Sequence, residues 1–158
     1  LKTSVLLAAA LKIGAILGGA PEKDAQLLYD FGIKMGLAFQ LQDDYLDVYG
    51  DPAVFGKKIG GDILCNKKTF MLITALNLAE GEDKETLLNW LRATDYVAEE
   101  KIQSVTALYN KVGVPELCQA RIDAYYKEGL ELLDKVNVES SLKEELKKFV
   151  CHLMDRKL

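Results

Sequence analysis

The chain has 158 residues, 49% of them apolar and 28% charged, which is one domain's worth of polypeptide with enough apolar side chain for a core. That balance excludes a disordered or low-complexity protein. Twenty Lys and Arg against 24 Asp and Glu leave a net charge of −4, without the basic excess of a general nucleic-acid binder. Cys65, Cys118 and Cys151 form no CxxC, and His152 stands alone as the one histidine. Neither a zinc site nor a disulfide framework follows, and the cysteines read as small core residues of a reduced, cytoplasmic protein.

The chain opens on an apolar run, Val5 to Leu11, with Lys2 ahead of it and Lys12 behind. Lys12 breaks the signal-peptide pattern, and no 18-residue uncharged stretch marks a transmembrane helix. The start therefore reads as a packed helix entered partway along, and the chain as a fragment of something longer. Gly18-Gly19-Ala20-Pro21 closes that helix, with Pro21 opening the next. The second helix runs to Tyr49 and stops at Gly50-Asp51-Pro52. Residues 51–66 lack apolar periodicity and read as a loop. Helices follow over 67–79, 84–93, 95–112 and 115–135. The last, over 141–157, opens with a Ser141-x-x-Glu144 capping box and carries Leu142, Leu146, Phe149, Val150 and Leu153 as a core-facing stripe. His152 falls at its surface. Strand alternation is absent, so the fold class is all-α.

The second helix departs from this plain pattern. Gln40, Asp43, Asp44 and Asp47 lie in a strongly apolar background and project within an arc of roughly 100°. Three like charges so close repel one another and are costly to bury. Either this arc is the wet face of the helix, or the carboxylates share a cation. Residues 43–51 carry four Asp and no base, whereas residues 57–68 carry Lys57, Lys58, Lys67 and Lys68 against Asp62. An acidic helix end followed by a glycine-rich basic loop suits a metal–diphosphate site, because Mg²⁺ takes a few carboxylates plus phosphate oxygens and lysines neutralise the rest. Gly32 and Gly36 share a side with Gln40 and read as close helix packing rather than room for a ligand.

Phe39-Gln40-Leu41-Gln42-Asp43-Asp44-Tyr45-Leu46-Asp47 resembles the second aspartate-rich motif of the trans-isoprenyl diphosphate synthases. Gly56-Lys57-Lys58-Ile59-Gly60-Gly61-Asp62 and Asn66-Lys67-Lys68-Thr69 resemble the lysine-bearing loop of that family, and Lys2-Thr3 its Lys-Thr pair. Three motifs in the right order cover residues 2–69; Arg156-Lys157 is similar to the basic tail of these enzymes. The resemblance implies the helical bundle of the isoprenoid synthase type, with residues 1–158 as the C-terminal part of a single domain. It implies condensation of an allylic diphosphate with isopentenyl diphosphate, release of diphosphate, and a homodimer. Asp43, Asp44 and Asp47 would hold Mg²⁺, and Lys2, Lys57 and Lys67 would pair with the allylic diphosphate. Thr3 and Gln40 would stabilise the allylic cation, and Phe39 would line the isopentenyl site. Ile33, Leu37 and Phe39 would exclude water, and loop 56–61 would close over the diphosphate.

The family's first aspartate-rich motif is missing, since no other DDxxD or DDxxxxD occurs in the chain. The fragment alone is therefore expected to be inactive and the parent an active synthase. Three other readings stay open: a class I terpene cyclase, a non-catalytic subunit of a heteromeric prenyltransferase, and a helical scaffold whose acidic face binds nothing.

Overall fold

The fold is that of a computed structural model, which describes residues 2–51, 53 and 59–154. Among these residues there are helices and no strands, as the periodicity requires. The helices are α1 (Lys2–Leu17), α2 (Glu22–Tyr49), α3 (Gly61–Leu64), α4 (Phe70–Leu78), α5 (Gly81–Arg92), α6 (Ala98–Lys111), α7 (Val114–Asp134) and α8 (Ser140–Met154). The expectations on Gly56, Lys57, Lys58, Arg156 and Lys157 lie outside the described residues. The chain divides into two compact units, one holding residues 2–42 and 120–154, the other residues 43–119.

In the first unit, Phe31, Met35, Leu133, Val136 and Val150 form the core, with Leu7, Leu11, Tyr126 and Leu146 packed against it. α1 ends in a Schellman turn. Gly19 takes φ 79°, its N–H donates to Ile16 O, and Ala20 N–H donates to Ala15 O, both at 3.0 Å. A left-handed residue here turns the chain and satisfies carbonyls the helix leaves open. Pro21 sits one residue before α2, its carbonyl accepting from Asp24 N and Ala25 N. The two glycines of α2 are packing positions, as read from the sequence. A Cβ at Gly32 would stand 2.6 Å from Ala8 Cα, and one at Gly36 would stand 2.5 Å from Ser4 Cα. Contacts that short are with backbone, so only glycine permits this approach of α1 to α2.

α8 corrects two expectations. It begins at Ser140, so Ser141 lies inside the helix and its hydroxyl meets Glu139 Oε2 at 3.5 Å; there is no capping box. The buried stripe is also turned by one position. Leu142 and Phe149 are 70% and 54% exposed, while Lys143 is only 7% exposed. Lys143 Nζ donates to Asp134 O at 2.8 Å. A lysine stem is apolar enough to pack and its ammonium satisfies a carbonyl at the end of α7, so the charge is tolerated where leucine was expected.

In the second unit, α6 packs against α3, α4 and α5, and Leu46, Met71, Leu72, Leu87, Val105 and Tyr109 are buried. The stretch read as loop contains α3, a single turn whose Ile63 is buried. α4 starts at Phe70 rather than Lys67, because Thr69 caps it: the Thr69 hydroxyl oxygen accepts from Leu72 N at 3.2 Å, leaving Lys67 and Lys68 ahead of the helix. The core reading of the cysteines holds for Cys118 alone, since Cys65 and Cys151 are exposed. Burial, with the Asp44 charge adding, pushes the Cys118 thiol up to about 12, so it is no nucleophile. His152 is exposed, as expected. No helix of the described residues is long and apolar enough to cross a membrane.

Candidate active site

Four of the expected site residues lie in the first unit. Lys2 and Thr3 open α1 and are exposed; Phe39 and Gln40 are half-buried on α2. Thr3 and Phe39 line one apolar cleft of about 360 Å³ together with Leu6, Met35, Gly36 and Leu153. Met35 and Gly36, rather than Ile33 and Leu37, stand beside Phe39 in its wall.

The acidic residues and Lys67 lie in the second unit, where the geometry is closer. Asp44 is 7% exposed, and Asp43 and Asp47 are half-buried. Lys67 Nζ donates to Asp44 Oδ1 at 2.8 Å and to Asp62 Oδ2 at 2.7 Å. Burial opposes the Lys67 charge, but its hydrogen bonds to Asp44 and Asp62 outweigh that and hold the ammonium well above its ordinary value. The solvated-face reading of this arc therefore fails for Asp44.

Asp47 organises the approach to α3. Its carbonyl accepts from Gly60 N at 2.6 Å and its Oδ2 accepts from Asp62 N at 2.8 Å. Gly60 makes this turn at φ 86°, with Ile102 2.7 Å from where a Cβ would stand; both the backbone angle and the space require glycine. Burial raises the Asp47 carboxyl above its usual value. The hydrogen bond from Asp62 N and the Lys67 charge pull it down, and the Asp62 and Asp44 charges push it up. One carboxylate oxygen of Asp47 is thus committed to the protein.

Sequence reasoning assigned no role to Asp62, which the structure makes the second partner of Lys67. The available signal was its position five residues before Lys67 in a glycine-rich segment. Asn66 reads only as part of the Asn66-Lys67-Lys68-Thr69 motif, without a role of its own, and Tyr96 and Lys101 carry no signal in the chain.

Among the described residues no three His, Cys, Asp or Glu side chains converge as a ready metal cage. Mg²⁺ does not require one. It binds through one or two carboxylates and fills its remaining positions with phosphate oxygens and water. The all-oxygen donor set of Asp43, Asp44 and Asp47 fits that demand, and Lys67, already paired with Asp44 from that set, would add positive charge beside it.

A family model described as polyprenyl synthetase matches residues 1–110. The short chain isoprenyl diphosphate synthase of Methanothermobacter thermautotrophicus is 38% identical over 144 residues, 89% of this chain and 43% of that protein. The geranylgeranyl diphosphate synthase of Sulfolobus acidocaldarius is 30% identical over 156 residues, 99% of this chain and 47% of that protein. Among solved structures, a geranylgeranyl pyrophosphate synthase superposes with a TM-score of 0.88 at 37% identity, over 99% of this chain and 49% of that one. The geranylgeranyl pyrophosphate synthase of Corynebacterium glutamicum, complexed with isoprenyl diphosphate and magnesium, gives 0.79 at 30% identity, over 91% of this chain and 41% of that one. The chain thus spans about half the length of the relatives it matches. These relatives carry the names of diphosphate synthases and favour neither a cyclase nor a non-catalytic subunit. With a family match over more than half of its residues and an all-helical fold shared with solved synthases, the chain belongs to the polyprenyl synthetase family.

Proposed function

We propose that this chain carries the second aspartate-rich half of a prenyltransferase site, working on an allylic diphosphate and isopentenyl diphosphate. The observation that supports it is Lys67 held between Asp44 and Asp62, a cation fixed within an otherwise acidic cluster. Two of the three ammonium N–H groups are used on those carboxylates, leaving one to donate to a phosphate oxygen. Asp43, Asp44 and Asp47 would hold Mg²⁺, which when bound offsets the charge of a diphosphate leaving group. Lys2, Lys57 and Lys67 would bind the same diphosphate. As the allylic C–O bond breaks, negative charge grows on the departing oxygen, and ammonium groups already in place stabilise it without reorganising. Thr3 and Gln40 would turn neutral oxygens toward the allylic cation. Phe39 would line the isopentenyl site and keep water from the cation, a role supported by its place in an apolar cleft.

Titration calorimetry of the chain with inorganic diphosphate tests this reading. Binding should require Mg²⁺, and Lys67→Met should weaken it about tenfold or more, the usual cost of one charge-assisted contact. Asp44→Asn should weaken the Mg²⁺ dependence by a similar factor. Equal affinity with and without Mg²⁺ would sink the proposal. Condensation itself is not expected from these 158 residues alone, which hold only one aspartate-rich motif.

A further inference from the structure

Lys101, on α6, is 1% exposed, which is exceptional for a lysine. Its Nζ donates to Asn66 Oδ1 at 2.7 Å and lies 4.3 Å from the centroid of the Tyr96 ring. Neither partner carries a formal charge. An ammonium removed from water without a counter-ion costs free energy, and an apolar side chain of the same length would pack there at less cost. Packing alone therefore gives no reason for a lysine at this position.

The groups it touches supply one. Asn66 has φ 52°, the one left-handed non-glycine residue among those described. Asparagine tolerates that conformation better than most side chains, yet still at some cost. Both ends of its carboxamide are used: Oδ1 accepts from Lys101, and Nδ2 donates to Leu91 O at 3.1 Å. Tyr96 is anchored as well, its hydroxyl donating to Leu64 O at 3.1 Å and its ring meeting Trp90 edge-on. Leu64 closes α3 and Asn66 directly precedes Lys67. The chain between them makes the turn that sends Lys67 toward Asp44 and Asp62, with Lys67 N donating to Asp62 O at 3.0 Å. Asp62, Asn66, Lys67 and Lys101 also line one small cavity of about 10 Å³.

We propose that Lys101 is a positioning residue for Lys67. From 35 residues away it clamps the left-handed turn at Asn66 and so fixes where the Lys67 ammonium stands. The link to diphosphate binding rests on the function proposed above; the link from Lys101 to Lys67 does not.

The test is a double-mutant cycle on the 158-residue chain, with Mg²⁺ and inorganic diphosphate in a calorimeter and circular dichroism to check helicity. Lys101→Met should weaken binding about tenfold, as loss of an outer-shell support does. Lys67→Met/Lys101→Met should bind no more weakly than Lys67→Met, because residues acting through one another are not additive. Asn66→Gly keeps the turn but removes the clamp, and should reproduce the loss if Lys101→Met does not fold. A purely structural lysine would lower the thermal midpoint yet leave affinity intact, or would give additive losses; either result overturns the proposal. If the unmutated chain binds no diphosphate, the functional reading fails. The positioning claim is then decided by the NMR signal of the Lys67 ε-methylene, identified by its loss in Lys67→Met. Clamped between two carboxylates, it should lie away from the position of a free lysine and move toward it in Lys101→Met. An unmoved signal overturns the claim.

Discussion

Asp47 holds the Gly60–Asp62 turn through its carbonyl and one carboxylate oxygen while burial raises its carboxyl. The folded chain consequently keeps this proton more tightly than the unfolded chain does. Its contribution to stability falls as pH rises from the ordinary 3.8 through the raised value, and the penalty is complete above it. Asp47→Asn preserves an acceptor for Asp62 N but removes the charge. Its thermal midpoint should exceed that of the unmutated chain at neutral pH without added metal, with the gap closing in acid. Added Mg²⁺ should raise the midpoint of the unmutated chain more than that of the variant, since a cation offsets the same charge. A gap independent of pH would show that the carboxylate is not the cause. Lys67, also raised, has a linkage of the same sign in an alkaline window, and there it is the charged form that the fold favours. Its raised ammonium stabilises the fold fully below 10.5, and that support is lost as pH climbs through the raised value.

Two close approaches set the geometry of the helices and of the turn into α3. α1 meets α2 where Gly36 faces Ser4 and Gly32 faces Ala8, backbone to side-chain position. Gly36→Ala must push α1 outward, and overpacking of this kind costs about 2 kcal/mol, or roughly 5 °C in a chain of this size. Gly60→Ala should cost at least about 1 kcal/mol from its left-handed angle alone, with the Ile102 side chain adding to it. Melts followed by circular dichroism check both, and a neutral Gly36→Ala would mean that the two helices do not approach so closely. The same scale explains the misread helix ends. Periodicity gave α4 three extra residues because Lys67 and Lys68 suit a helix as well as a loop, and only the Thr69 cap decides between them. The face of α8 was misread because a hydrophobicity pattern ranks Lys143 as solvent-facing, whereas its stem lies inside and its ammonium is satisfied by Asp134 O.

For the molecule as a whole, the part of the proposed site that lies in the second unit is the last turns of α2 and the segment leading into α4. Hydrogen exchange should therefore slow at residues 43–49 and 59–69 when Mg²⁺ and diphosphate are added together. Residues 120–134 of the first unit should change little, because protection follows local contacts. Uniform slowing across α7 and α8 would instead indicate a global stabilisation unrelated to that site.

The amino-acid sequence alone determined the helical class, the breaks at Gly18-Gly19 and Gly50-Asp51, and the family, because periodicity, glycine and short motifs act over a few residues. It also determined that Asp43, Asp44, Asp47 and Lys67 belong to one stretch of acid followed by base. What it could not determine is pairing. That Lys67 meets Asp62 as well as Asp44, that Asp47 turns the backbone into α3, and that Lys101 reaches Asn66 across 35 residues depend on which helix packs where. Those choices are set by the burial of α3, α4 and α5 against α6, a collective outcome of packing that no single spacing in the chain encodes.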